Sequence, residues 1–221
     1  MLIITGTTTI MTISGVALLY NILQRELLYP SNWPMGSRKF VSKPSEYGIP
    51  YSEIKLFTKD NVRLRAFGHR LPIARIFYLE LNYNVILLSY RGYGRSEGTP
   101  AEKGLRIDAQ TVLDYVSKHE IFKETKIIIY GQSLGGAVAI DLVSKNESKV
   151  SALIIENTFL RTKDEIIPQE HMKGLFELTK TSGGKEWLEF SNGNHNNTNS
   201  QPGYFQYIRK FVKRYIDLDE A

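Results

Sequence analysis

An α/β fold, with a mostly parallel sheet and helices on both faces, is what this 221-residue sequence predicts. Two observations carry that expectation. Past two opening strands, short strand-like runs alternate with segments of helical period, the pattern of strands joined by crossover helices. Residues 126–130, KIIIY, form a β-branched and apolar run that reads as a fully buried strand, and GGAVAIDLVSK follows it with apolar residues at helical spacing. A third observation bounds the size: 42% hydrophobic and 23% charged residues are ordinary globular values, enough for one domain with its own core.

In chain order, residues 1–24 come first and carry no charge. About 20 mostly apolar residues span the hydrocarbon layer, so a retained transmembrane helix is expected. A cleaved signal peptide competes but lacks the positive charge that should precede its apolar run, and a buried soluble helix is the third option. Basic residues Arg25, Arg38, Lys39 and Lys43 follow the span and none precedes it, which favours a cytoplasmic body. Sequons at Asn146 and Asn196 lean the other way. Residues 25–50, rich in Pro, Ser and Gly, read as a linker or extended lead-in, and the catalytic-type domain is assigned to 51–217.

Strands are expected at 51–57 and 62–67 around the turn TKDN, giving an antiparallel lead-in. A helix near 71–83 leads to a strand at 84–90, the glycine loop RGYGRSEGTP and a helix at 101–119. The strand at 126–131 is followed by a helix at 134–145 and a strand at 151–156. A helix near 169–180, a strand at 185–190 and an amphipathic helix at 203–217 complete the chain.

Gly131-Gln132-Ser133-Leu134-Gly135 is a G-x-S-x-G elbow in the strand–turn–helix context that the motif requires. The serine adopts a strained backbone there, and side chains two residues to either side are expected to collide across the turn. The Leu134 amide, at the helix N-terminus, would point to where an oxyanion forms. A serine hydroxyl needs a base. Of four histidines, His195 has the loop placement after a strand that lets a ring reach over the sheet. His119 ends a helix and is expected to face solvent, His171 is in a helix start, and His69 is in a short turn. The orienting acid should fall between serine and histidine in chain order. Asp164 is the leading candidate, with Glu165, Asp141 and Glu156 as rivals.

The segments NVILLSYRGYGRSEGTP, IIIYGQSLGGAVAI, LIIENTF, KDEIIP and NGNHN…YF, taken together, resemble the α/β hydrolases. More narrowly, they are similar to the membrane-anchored eukaryotic branch of Bem-like proteins and α/β-hydrolase-domain protein thirteen. The resemblance runs from about Gln24 to Ile216. It implies Ser133 as nucleophile, Asp164 as acid, His195 as base, an ester or thioester acyl substrate and no cofactor. It further implies a single-pass membrane protein, expected at the endoplasmic reticulum or another endomembrane. Two departures mark an internally shortened form. RAFGHRLP runs straight from the second strand into a helix where the family carries a further strand and an oxyanion loop, and ENTFLRTKDEIIP omits a lid and a strand. The first missing strand is central in the family's sheet, so its neighbours should pair across the gap or leave backbone groups unpaired.

Two functions follow as expectations: a serine hydrolase, or a catalytically impaired, membrane-tethered relative acting through its surface. Other classes find little support. The net charge of +5 comes with no basic stripe interleaved with aromatics, so no nucleic-acid partner is expected. With no cysteine, a disulfide framework, a thiolate metal site and a cysteine nucleophile are excluded. RGYGRSEG lacks the G-K-[ST] ending of a phosphate loop, and its glycines are read as permitting a tight turn.

Overall fold

The structure, a computed structural model, describes residues 29–31, 35–65, 70–158, 169–179, 184–195 and 197–216. A hairpin opens it. Strands β1 (Lys55–Phe57) and β2 (Arg63–Arg65) pair antiparallel, with Lys55 opposite Arg65. The turn between them is built as its residues dictate. The Thr58 hydroxyl donates to Asp60 at 2.6 Å and accepts from the Val62 amide at 2.9 Å. Asn61 takes a left-handed φ of 58°, which Asn tolerates better than most residues.

Helices α1 (Leu71–Leu79) and α2 (Glu102–Lys118) follow, and then a strand–helix–strand unit. Strands β3 (Ile128–Gln132) and β4 (Ala152–Glu156) lie parallel, with Ile128 opposite Ala152 and Gln132 opposite Glu156. Helix α3 (Leu134–Ser144) is the crossover, and α4 (Gln169–Leu178) and α5 (Tyr204–Tyr215) complete the order. Successive side chains of a strand point to opposite faces, so the β3 region feeds two cores. Ile127 and Ile129 pack against Leu105, Leu113, Val138 and Leu142 of α2 and α3. Ile128 packs against Ile208 and Val212 of α5. Helices therefore cover both faces, as the sequence predicts.

The glycine loop is structural. Gly92, Gly94 and Gly98 have φ of 79°, 51° and 77°, and a Cβ on Gly92 would meet Pro100 Cδ at 2.4 Å. Arg91 is buried and forks between Asp108 and Asp60, at 2.8 and 2.7 Å. This ties the loop to α2 and to the hairpin turn.

Two expected strands are absent. Residues 84–90 make one isolated bridge, Ser89 to Arg65, and among the described residues the backbone of 84–88 makes no hydrogen bond. Residues 185–190 form no strand either. A strand is stable only when neighbours complete its ladder. Between 84–90 and β3 lies a cavity of about 1540 Å³, lined by residues 85–90 on one side and 125–135 on the other. The gap that the sequence implies thus remains open, and β-propensity alone does not overcome the missing partner.

No helix among the described residues is long and apolar enough to cross a membrane; the expected anchor, residues 1–24, lies outside them. Near the start of the expected lead-in, Tyr29 packs into the α2–α3 core. Asn146 is buried, and its amide donates to Gln110 and to the Leu142 carbonyl, both at 2.8 Å, so this sequon offers no free amide for glycosylation.

Candidate active site

Ser133 sits between the last residue of β3 and the first of α3, at φ 52° and ψ −123°. This conformation is rare for a residue with a Cβ and stores about 1–3 kcal/mol, tolerated only where the surroundings over-determine it. Here they do. The Ser133 amide donates to the Glu156 carbonyl at 3.0 Å, and its own carbonyl accepts from the Gly136 amide at 2.9 Å and the Thr158 hydroxyl at 2.6 Å. The side chain is half-buried and lines the cavity.

The two motif glycines differ. A Cβ on Gly131 would meet Gly135 O at 2.5 Å and Gly136 Cα at 2.8 Å, so the expected collision is real there. A Cβ on Gly135 would meet nothing within 4 Å, which corrects the expectation of symmetric crowding: the turn closes past Gly131 from one side only. The second close approach is at Gly136, where a Cβ would meet Thr158 at 2.5 Å. Leu134 opens α3, so its N–H has no acceptor within the helix. No acidic residue occupies the first turn to compete for the positive end of the dipole.

His195 is exposed, lies in the turn before α5 and lines the same cavity as Ser133. The Asn157 amide straps its loop to the end of β4, donating to Asn194 O at 3.3 Å, His195 O at 3.2 Å and Thr198 Oγ1 at 3.0 Å. Asn157 is itself left-handed, at φ 45°. The sequence reading passed over this residue, although an Asn at a strand's end is a turn signal. Among the described residues no hydrogen bond joins the Ser133 hydroxyl to the His195 ring. Such bonds are often long in unliganded sites and tighten on binding.

Asp164 and Glu165 lie outside the described residues, as does His69; the His171 side chain does too. Of the remaining rivals, Asp141 is committed to Arg106 and Lys145, at 2.7 and 2.6 Å. Glu156 is buried. It accepts from Tyr130 and Tyr204 hydroxyls, both at 2.6 Å, and from the Gln132 amide at 2.7 Å. Burial and that carboxylate push both tyrosine hydroxyls well above their usual range. Glu156 therefore braces β3, β4 and α5 together. His119, expected to face solvent, is half-buried because its ring stacks on Phe122 at 4.6 Å.

The family model described as serine aminopeptidase, S33 (Hydrolase_4) matches residues 78–215. Protein bem46 of Schizosaccharomyces pombe is 38% identical over 268 aligned positions, covering 91% of this chain and 89% of bem46. That alignment is longer than the chain, so it opens gaps here, in keeping with the shortened frame. A Saccharomyces cerevisiae relative described as an uncharacterized membrane protein, YNL320W, is 34% identical, covering 94% of both chains. In fold, an α/β hydrolase from Vibrio vulnificus superposes with a TM-score of 0.52 at 23% identity, over 65% of this chain and 59% of that one. With the strained serine on a parallel βαβ corner, these likenesses mean that the chain belongs to the α/β hydrolases, in the Bem46-like branch of the Hydrolase_4 family.

Proposed function

We propose that this chain is a serine hydrolase acting on an ester or thioester. The observation that carries the reading is Ser133 itself, held at a positive φ at the head of α3, on the cavity that His195 also lines. His195 takes the proton as Ser133 Oγ attacks the carbonyl carbon. The oxyanion that forms accepts from the Leu134 amide. The C–O or C–S bond then breaks, and the proton passes from His195 to the leaving group. Water, deprotonated by His195, attacks the acyl-serine and regenerates the hydroxyl. Asp164 holds the imidazole in the productive tautomer. No cofactor takes part. Residues 1–24 tether the body to an endomembrane, a role in keeping with the description of the yeast relative as a membrane protein.

A fluorophosphonate probe with intact-mass detection tests this. The wild-type chain gains one adduct, Ser133→Ala gains none, and His195→Ala labels at least 100-fold more slowly. The alternative, a tethered and catalytically impaired relative, is favoured by the missing Ser133–His195 hydrogen bond. It prevails if a chain that unfolds cooperatively takes up no probe.

A further inference from the structure

The cavity is much more than a mouth around Ser133. Its volume of about 1540 Å³ exceeds the roughly 300–1,000 Å³ of ordinary small-ligand pockets. It also has a direction. Every residue from 125 to Ser133 lines it, and at about 3.3 Å per residue that wall is ~25 Å long. The opposite wall is residues 85–90, and α1 and α2 close the other two sides with Ile73, Phe77, Val112 and Val116. The end far from Ser133 is marked by Phe122 and the solvent-exposed Lys126, and among the described residues no Asp or Glu lines the cavity.

We infer that this slot, left open between residues 84–90 and β3, holds the acyl chain of the substrate, and that the preferred chain is long. The inference rests on Ser133 being the nucleophile, since a chain esterified there would lead into the slot. An extended chain advances about 1.2 Å per bond, from 3.6 Å over the three backbone bonds of a residue. About twenty bonds therefore fit between Ser133 and the far end, room for the roughly 15–17 C–C bonds of an acyl chain of sixteen to eighteen carbons together with its ester link to the serine side chain. Most side chains along this path are aliphatic or aromatic, with Ser89, Thr125, Lys126 and Gln132 among the polar exceptions, so a methylene added to the acyl chain gains mainly apolar contact. Among the described residues the backbone of 84–88 makes no hydrogen bond, and of these five only Asn84 and Val85 are exposed to solvent, so an extended peptide is the competing occupant.

Two measurements separate this inference from the hydrolase reading. The first compares kcat/KM on p-nitrophenyl esters from butyrate to palmitate. The expected rise is about 3- to 4-fold per methylene until the slot is filled. Val116→Trp, from the α2 wall, and Ile86→Phe, from the opposite wall, each lower the palmitate-to-butyrate ratio at least tenfold. Because the readout is a ratio within one protein, it requires only that one of the two variants folds. The second measurement needs no chemistry: Ser133→Ala is loaded with the fluorescent fatty acid cis-parinaric acid, and palmitate displaces it. Butyrate hydrolysis with a flat or falling chain-length profile overturns the inference and leaves the hydrolase standing. Palmitate binding without hydrolysis of any ester overturns the hydrolase reading and leaves the acyl slot. Displacement by the peptide NVILLSY but not by palmitate overturns the inference in favour of a docked strand.

Discussion

Replacing Gly131 and Gly135 separately by alanine tests whether the elbow is crowded on one side only. The two residues flank Ser133 symmetrically in sequence, and a motif reading treats them alike. At Gly131 the added methyl would sit 2.5 Å from Gly135 O and 2.8 Å from both Gly135 C and Gly136 Cα. These are backbone atoms of the first turn of α3, so no rotamer change relieves the clash and the β3–α3 corner must open. Overpacking of this kind costs about 1–3 kcal/mol, and the rigid neighbours place Gly131→Ala at the upper end. For a chain of this size each kcal/mol lowers Tm by about 2–4 °C, so a drop of ~6–12 °C is expected. Opening the corner also moves the serine hydroxyl, and a displacement of ~1 Å costs about 100-fold in rate. At Gly135 the same methyl meets nothing within 4 Å, and the residue lies in a helix, where alanine is favoured over glycine by up to ~1 kcal/mol. Gly135→Ala therefore melts at or slightly above the wild-type temperature. Circular-dichroism melts and fluorophosphonate labelling rates measure both effects. Equal Tm values for the two variants, or Gly135→Ala as the more damaging one, would refute the one-sided packing on which the geometry of Ser133 depends.

Two further outcomes follow from the same contacts. Asn157→Gly keeps a residue suited to the left-handed turn but removes the three hydrogen bonds that strap the His195 loop; labelling of Ser133 slows at least tenfold while Tm falls by less than about 5 °C, and an unchanged labelling rate would show that the strap does not position His195. The Arg91 guanidinium, helped by the Thr58 hydroxyl, holds the Asp60 carboxyl below its usual range. A depressed carboxylate stabilises the fold above its unfolded pKa of about 3.9, and that contribution is lost as pH falls through the folded value. Burial pushes the Asp108 carboxyl the other way; Asp60 is only the last and smallest cause of that rise, so most of it is common to wild type and Asp60→Asn and cancels in their comparison. The Tm gap between those two proteins is therefore full from pH 5 to 8 and narrows below pH ~4; a gap that widens on acidification would contradict this sign.

The legible parts of the fold and site are those whose determinants are close in sequence. Helix α2 was expected at 101–119 and runs Glu102–Lys118. The strand–elbow–helix around Ser133 and the strand at Ala152–Glu156 also came out within about two residues, because period and turn chemistry act locally. Residues 84–90 have the same strand-like composition as 126–130, yet only the latter became a strand. The difference is a neighbour: β3 has β4 beside it, whereas 84–90 faces the open slot. Composition does not say whether a partner exists. The roles of Glu156 and Asn157 were hidden for a related reason, since each depends on groups 24–48 and 37–41 residues away respectively. The same distinction explains how a shortened sheet can keep a formed nucleophile. The contacts that hold Ser133 come from Glu156 O, Gly136 and Thr158, all within the β3–α3–β4 unit or one step past it. Removing a strand on the far side of β3 takes none of them away. What it changes is the space beside the serine, where a central strand would have filled the slot. The hydroxyl and the cavity are thus separable properties of this chain: the first is set by a short βαβ corner, the second by what the sheet lacks.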